Sequence, residues 1–394
     1  MNKSTEKGLV PELRFPEFKN DAEWEKKVLN NKDIATFVKD REPLEQLKLN
    51  SYVSTENLLA DYAGVAKASK LPPSGSFTSY KPNDVLISNI RPYLKKVWCA
   101  DKIGAASNDV IVIRPNAKVS AAYMLHILKN DEFINFVMKG AKGVKMPRGD
   151  IASIKAYPVA LPRLPEQQKI ADCLSSLDKL VSANNQKLDA LKAHKKGLMQ
   201  QLFPAEGETV PELRFPEFEN QTSWKKRSFS KLFEIGGGKD HKHLPSGNIP
   251  VYGSGGYMRS VNEFLYDGES ACIGRKGTIN KPMFLNGKFW TVDTLFYTHS
   301  FNGCTARFIY LLFQNIDWLS LNEAGGVPSL SKVIINKIEV MIPEIKEQHR
   351  ITDCIDSLEE LITAQSQKIG ALKTHKRGLM QQLFPILIGE ANAT

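Results

Sequence analysis

The side chains in this sequence best suited to chemistry are basic and aromatic residues set among turn residues, and the chemistry they suit is contact with a polyanion. In Asn89-Ile-Arg-Pro-Tyr-Leu-Lys-Lys96, the residues Arg91, Tyr93, Lys95 and Lys96 follow a strand-like run, where guanidinium and ammonium groups reach phosphates or a guanine edge. Lys142, Lys145 and Arg148 form a second cluster in AKGVKMPRGD, which Pro147 and the glycines keep as a loop. In the second half of the chain the corresponding segment is Gly274-Arg275-Lys276-Gly277 followed by Lys281, with Lys239, His241 and Lys242 nearby in sequence. Any one of these side chains alone reads equally as part of a solvated charged loop; the expectation is contact from at least one cluster in each half.

Signatures of catalysis are missing. The sequence holds no GxxxxGK[ST] phosphate loop, no HExxH pair, no GxSxG elbow and no Asn-Pro-Pro-Tyr box of the kind used around a flipped base. Gly236-Gly-Gly238 and Gly253-Ser-Gly-Gly256 lack the Lys and Ser/Thr of a phosphate cradle and read as turns. His194 and His375 have no carboxylate or nucleophile paired with them in sequence, so packing or an interface is expected of them rather than acid–base work. Cys99, Cys173, Cys272, Cys304 and Cys354 are scattered, without disulfide or zinc spacing. The chain is therefore expected to be non-catalytic and to bind no metal or cofactor. With neither an apolar signal core nor a run of about eighteen apolar residues, it is expected in the cytoplasm and away from membranes.

The formal charge is +10. Lys and Arg outnumber Asp and Glu by 23 to 15 between Lys19 and Leu164 and by 14 to 10 between Glu219 and Pro343, which favours a polyanionic partner for both stretches.

The elements that must carry these clusters are organised as a repeat. VPELRFPEF runs from Val10 to Phe18 and recurs unchanged 200 residues later, from Val210 to Phe218. HKKGLMQQLFP from His194 recurs as HKRGLMQQLFP from His375, an offset of 181, so the first interior is 19 residues longer than the second. Near-identical ends enclose dissimilar interiors.

The repeated ends are helical. One heptad seam reads Ile170, Leu174, Leu177, Val181, Leu188, Leu191, Leu198 and Leu202, with gaps at Asn184 and Lys195. The other reads Ile351, Ile355, Leu358, Ile362, Ile369, Leu372, Leu379 and Leu383, with Gln365 and Lys376 in the same gaps. Neither contains proline before Pro204 or Pro385, so each forms one helix about 50 to 55 Å long. Matching seams predict an antiparallel pair. Asn184 and Gln365 then either set its register from within the seam or sit on the surface beside it. Cys173 and Cys354 occupy equivalent positions and suit helix packing.

The interiors carry strand candidates Val85–Ser88, Val110–Ile113, Ile249–Tyr252, Ala271–Gly274 and Thr294–Tyr297. Helical stretches follow at Ala121–Met138 and about Thr305–Asn315. The fold class expected is α+β: a globular domain over 1–164, a spacer helix over 165–204, a second globular domain over 205–345, a second spacer helix over 346–385 and a tail over 386–394.

This order of parts resembles the specificity subunits of Type I restriction-modification enzymes. The resemblance spans Val10 to Pro385 and rests on the paired seams, on Leu164-Pro-Glu-Gln-Gln-Lys-Ile170 with Ile345-Lys-Glu-Gln-His-Arg-Ile351, on the repeated GLMQQLFP, and on Ile249-Pro-Val-Tyr-Gly-Ser-Gly255 and Ile273-Gly-Arg-Lys-Gly277. Lys346 departs from it, standing where the first copy has Pro165. The resemblance implies two target recognition domains, each reading half of a bipartite, asymmetric site in double-stranded DNA, with the helix pair as ruler. It also implies two modification subunits bringing S-adenosylmethionine for adenine methylation, and restriction subunits bringing ATP and Mg. Inserting four residues into one helix, about 6 Å of rise, is then expected to lengthen the gap. Two other readings stay open: a free-standing DNA-binding regulator, and an enzyme in its own right.

Overall fold

The computed structural model describes residues 9–387, so the expected tail lies outside the described residues from 388 onward. The chain divides into two compact units, one running to Asn185 and resuming at Lys368, the other spanning Gln186–Gln367.

In the first unit the central sheet is ordered Ala35–Phe37, Val110–Pro115, Val85–Ser88 and Val97–Cys99, antiparallel throughout. All four residues of Val85–Ser88 are buried, which accounts for its unbroken apolar run. A second sheet joins Arg41–Pro43, Ser76–Tyr80, Gly104–Ala106 and Tyr52–Val53. Helices α1 (Ala121–Leu128), α2 (Asp131–Lys139) and α3 (Ile151–Ala156) follow, and the long α4 spans Leu164–Leu202. The single helix expected over Ala121–Met138 is two. Asn130 leaves helical geometry (φ −74°, ψ 139°) and its side chain accepts from Glu132 N, capping α2.

The second unit repeats the central sheet strand for strand: Glu234–Gly237, Leu295–His299, Ser270–Gly274 and Met283–Leu285. Its other sheet departs, ordered Gly256–Val261, Ser246–Gly253, Lys288–Thr291 and Tyr266–Asp267, with the parallel pairing now at the centre rather than at the edge. The helices are α5 (Ala306–Asn315), capped by Thr305, α6 (Lys332–Lys337) and α7 (Ile345–Leu383). Among the described residues no helix is long and apolar enough to cross a membrane.

Helices α4 and α7 have 39 residues each and pair antiparallel. In the first unit Lys376, near the end of α7, pairs with Asp178, near the start of α4; in the second, Lys195 near the end of α4 pairs with Glu359 near the start of α7. These are one interaction occurring twice, at an offset of 181. The lysines expected only as gaps in the seams thus carry the ion pairs. Asn184 and Gln365 are each 7% exposed, which places both within the seam. The outer seam residues have a second duty. Ile170, Leu174 and Leu383 enter the core of the first unit with Trp24 and Tyr123, and Leu202, Ile351 and Ile355 enter that of the second with Trp224 and Phe308. His194 and His375 are exposed, each standing one residue short of the seam position held by Lys195 or Lys376, so of the packing or interface role expected of them the packing is not found.

One buried group gives the first unit an acid sensitivity. His126 is fully buried on α1, with Nε2 3.1 Å from Ser175 Oγ. Burial, together with Lys376 and Lys129 and against the opposing pull of Asp178, pushes its pKa down to about 3. The folded protein therefore keeps the imidazole neutral, whereas the unfolded chain protonates it near 6.5. Its contribution is intact above that value and is lost as pH falls from about 6.5 toward about 3. Counting from the caps Ser120 and Thr305, Leu311 is its counterpart in α5. His126→Leu is expected to flatten the fall of the unfolding midpoint between pH 6.5 and 4.5; an unchanged slope in thermal melts would clear His126 of that role.

Candidate nucleic-acid interface

Each domain builds one corner from a turn after its central buried strand and a loop before its short third helix. In the first domain the turn holds Arg91 (φ 49°) and Lys95 (φ 54°) in left-handed conformation around Pro92–Leu94. Left-handed backbone at non-glycine residues costs about 1 kcal/mol or more each and persists where neighbouring structure enforces it. The enforcing contacts are backbone ones. Asn89 N donates to Asp109 O at 2.8 Å, Arg91 N to Pro147 O at 2.8 Å and Gly149 N to Asn89 O at 2.9 Å. The loop itself is closed by reciprocal 2.9 Å bonds between Lys142 and Arg148. Gly149 has to be glycine, since a Cβ there would stand 2.9 Å from Asn89 Oδ1 and from Val137 Cγ1. Lys142, Lys145, Arg148, Arg91 and Tyr93 are all exposed around this corner, with Arg148 held 3.1 Å from Asp109.

The second domain reproduces the arrangement. Arg275 N donates to Thr294 O at 2.8 Å, Gly277 N (φ 87°) to Pro328 O at 2.8 Å, and Leu330 N to Arg275 O at 2.9 Å. Lys276 and Ser329 form a bridge, and Glu323 N to Ser329 O closes the loop at 3.1 Å. Ser254, at the tip of the neighbouring hairpin, donates through Oγ to Lys276 O at 2.7 Å.

The frame beneath each corner explains why the ends of the chain repeat. Arg14 of the first nonapeptide forms two bonds to Glu166 of α4, at 2.7 and 2.8 Å, and Arg214 of the second forms two to Glu347 of α7, both 2.8 Å. The next residue completes the joint. Gln167 is bonded to Lys118 O, Pro162 O and Ser120 N; Gln348 is bonded to Gly303 O, Pro343 O and Thr305 N. Each Glu-Gln pair therefore fastens the helix entry to the nonapeptide and to the cap of α1 or α5. Lys346 in place of proline leaves the entry unchanged, since α4 and α7 start at equivalent residues. The far ends match too: Leu13 N donates to Gln382 O and Leu213 N to Gln201 O, both at 2.9 Å.

Comparison with known proteins finds the same duplication. The model of the Type I restriction modification DNA specificity domain matches residues 23–193 and again 221–374. The chain belongs to this family. It is similar to the Type I restriction enzyme MjaVIII specificity subunit of Methanocaldococcus jannaschii, at 23% identity over 94% of this chain and 93% of the relative. In fold it is similar to the S subunit of a Type I restriction-modification system from M. genitalium, with TM-score 0.63 and 16% identity over 96% of this chain and all of that one. A chain solved in work on complex assembly and conformational transition of the type I R-M system matches with TM-score 0.58 and 16% identity, over 92% of this chain and 97% of that one.

Within this specificity-family frame the basic residues singled out from the sequence part company. Lys95 is bonded to Asp131, the first residue of α2, at 2.6 Å, and Lys96 donates to Thr55 O. Burial, with Arg91 nearby, lowers the Lys96 pKa. Lys239, His241 and Lys242 lie on the segment entering the second sheet, where Trp290 Nε1 donates to Lys239 O at 2.9 Å. Lys281 is exposed between Ser270–Gly274 and Met283–Leu285. Sequence reasoning missed the loop 323–329, which contains no basic residue; the 181-residue offset that aligns it with 142–148 was its available signal.

Proposed function

We propose that this chain is the DNA-reading, non-catalytic subunit of a Type I restriction-modification assembly in the cytoplasm. Each globular domain reads one half of a bipartite, asymmetric site in duplex DNA. The helix pair sets the gap and receives two modification subunits, which bring S-adenosylmethionine and methylate adenine. Restriction subunits add ATP- and Mg-dependent chemistry. The observation that carries this reading is the turn-and-loop corner built twice on one unvarying frame with unlike exposed residues, as two unlike half-sites require.

Mapping methylated adenines in DNA exposed to this chain with its modification partner tests the proposal. Methylation confined to a two-part asymmetric target, and absent without this chain, is the expected outcome; a contiguous target or methylation independent of the chain would overturn it. A stable complex with the modification partner also separates this reading from a free-standing regulator.

Neutralising Lys142 or Lys145, both exposed, is expected to lower the slope of log K against log salt by about one for each phosphate left without its cation. Lys95→Gln is expected to leave the slope unchanged, because its ammonium is already paired with Asp131. Titrations between about 50 and 200 mM salt distinguish the two; a Lys95 variant with a shallower slope would put that side chain on the DNA.

A further inference from the structure

Both loops present a large apolar side chain to solvent at the same repeat position. Met146 is 53% exposed and Val327 is 56% exposed, and they stand 181 residues apart, as do the loop ends Lys142 and Glu323, and Arg148 and Ser329. Each immediately precedes a proline whose carbonyl accepts the backbone N–H of the left-handed turn residue, Arg91 or Gly277. The position is therefore fixed against the central strand of its domain. Exposed basic residues stand on the same loop and on the turn bonded to it: Lys142, Lys145, Arg148 and Arg91 in the first domain, Arg275 and Lys276 in the second.

A single exposed apolar residue needs no explanation. The same residue class at the same pinned position of two otherwise dissimilar loops, each joined to exposed basic residues, does. Phosphate-binding groups bring such a loop to the duplex without supplying sequence information, and an apolar tip at a base edge supplies it through the one apolar group displayed in the major groove, the C5-methyl of thymine. We infer that Met146 and Val327 are base-reading residues, each contacting a thymine methyl in the half-site of its own domain. This rests on the DNA-reading function proposed above.

The test uses the full chain assembled with its modification partner, after the methylated target is mapped. Duplexes carrying deoxyuridine for thymine in one half-site or the other are competed against the natural target. Removing one buried methyl group is expected to weaken binding about fourfold. Met146→Ser is expected to abolish that dependence in one half-site, and Val327→Ser in the other. Both side chains are solvent-exposed, and unchanged thermal melts confirm that the variants fold. Wild-type binding indifferent to deoxyuridine, variants that keep the wild-type dependence, or two variants acting on the same half would each overturn the inference while leaving half-site recognition in place. A wild-type complex with no sequence preference would overturn the functional proposal as well.

Discussion

Glu347→Ala is expected to destabilise the second unit by about 3–5 kcal/mol, the cost of leaving a buried charge without its partner. The Arg214 side chain is 7% exposed and that of Glu347 2%, so both are largely shielded from water. Two charge-assisted bonds to Arg214 and one from Trp224 Nε1 disappear together. For a unit of this size the change corresponds to a fall of roughly 6–20 °C in Tm. The double variant Arg214→Met with Glu347→Leu is expected to cost much less, because no unpaired charge is left behind. Glu166→Ala should behave alike in the first unit, where Arg14 is the stranded partner. Calorimetry decides it: a Glu347→Ala midpoint within about 2 °C of the wild type would show that the joint is not where the helix entry gains its stability.

That joint illustrates what was and was not legible. The nonapeptide announces itself by repetition, and so does the Glu-Gln pair, yet Arg14 and Glu166 lie 152 residues apart and nothing local in either segment names the other. The helix pair was legible because its signal is periodic: seam positions, polar gaps and terminating prolines all fall within one window. Even there, periodicity did not show that Ile170 and Leu383 also enter the core of the first unit, since an apolar residue looks the same whichever surface it meets.

The residues proposed for DNA contact were legible only as charge, and charge alone does not show what a side chain is paired with or which uncharged residues lie beside it. Lys95 reads from the sequence as a candidate phosphate ligand and is paired with Asp131 in the structure, a pairing that nothing local in the sequence signals. Val327 escapes because Gly325-Gly326-Val327-Pro328 contains no basic side chain, although backbone bonds place it beside Arg275 and Lys276. Val85–Ser88 and Ala271–Gly274 were found by their apolar runs, and Ile249–Tyr252 falls within Ser246–Gly253 of a second sheet; short strands such as Tyr52–Val53 and Tyr266–Asp267, whose partners lie further along the chain, were not.

The helix pair carries the second large effect. Each helix begins in one unit and ends in the other, and the ion pairs Lys376–Asp178 and Lys195–Glu359 show that the two run antiparallel. An insertion in one helix alone would leave its seam without an opposite number, so four residues in a single helix trade the lengthened rise against weakened pairing. Seven residues in each helix, placed next to Asn184 and Gln365, keep the seam: a heptad turns the helix through two turns less about 20° and adds about 10.5 Å. At about 3.4 Å per base pair the target gap is expected to grow by about three base pairs, with both half-sites unchanged. Methylation at the original spacing should vanish and reappear at the new one, a switch rather than a graded decline. Altered half-sites at the original gap would mean that the helices help to read sequence, and the division between frame and reader would fail.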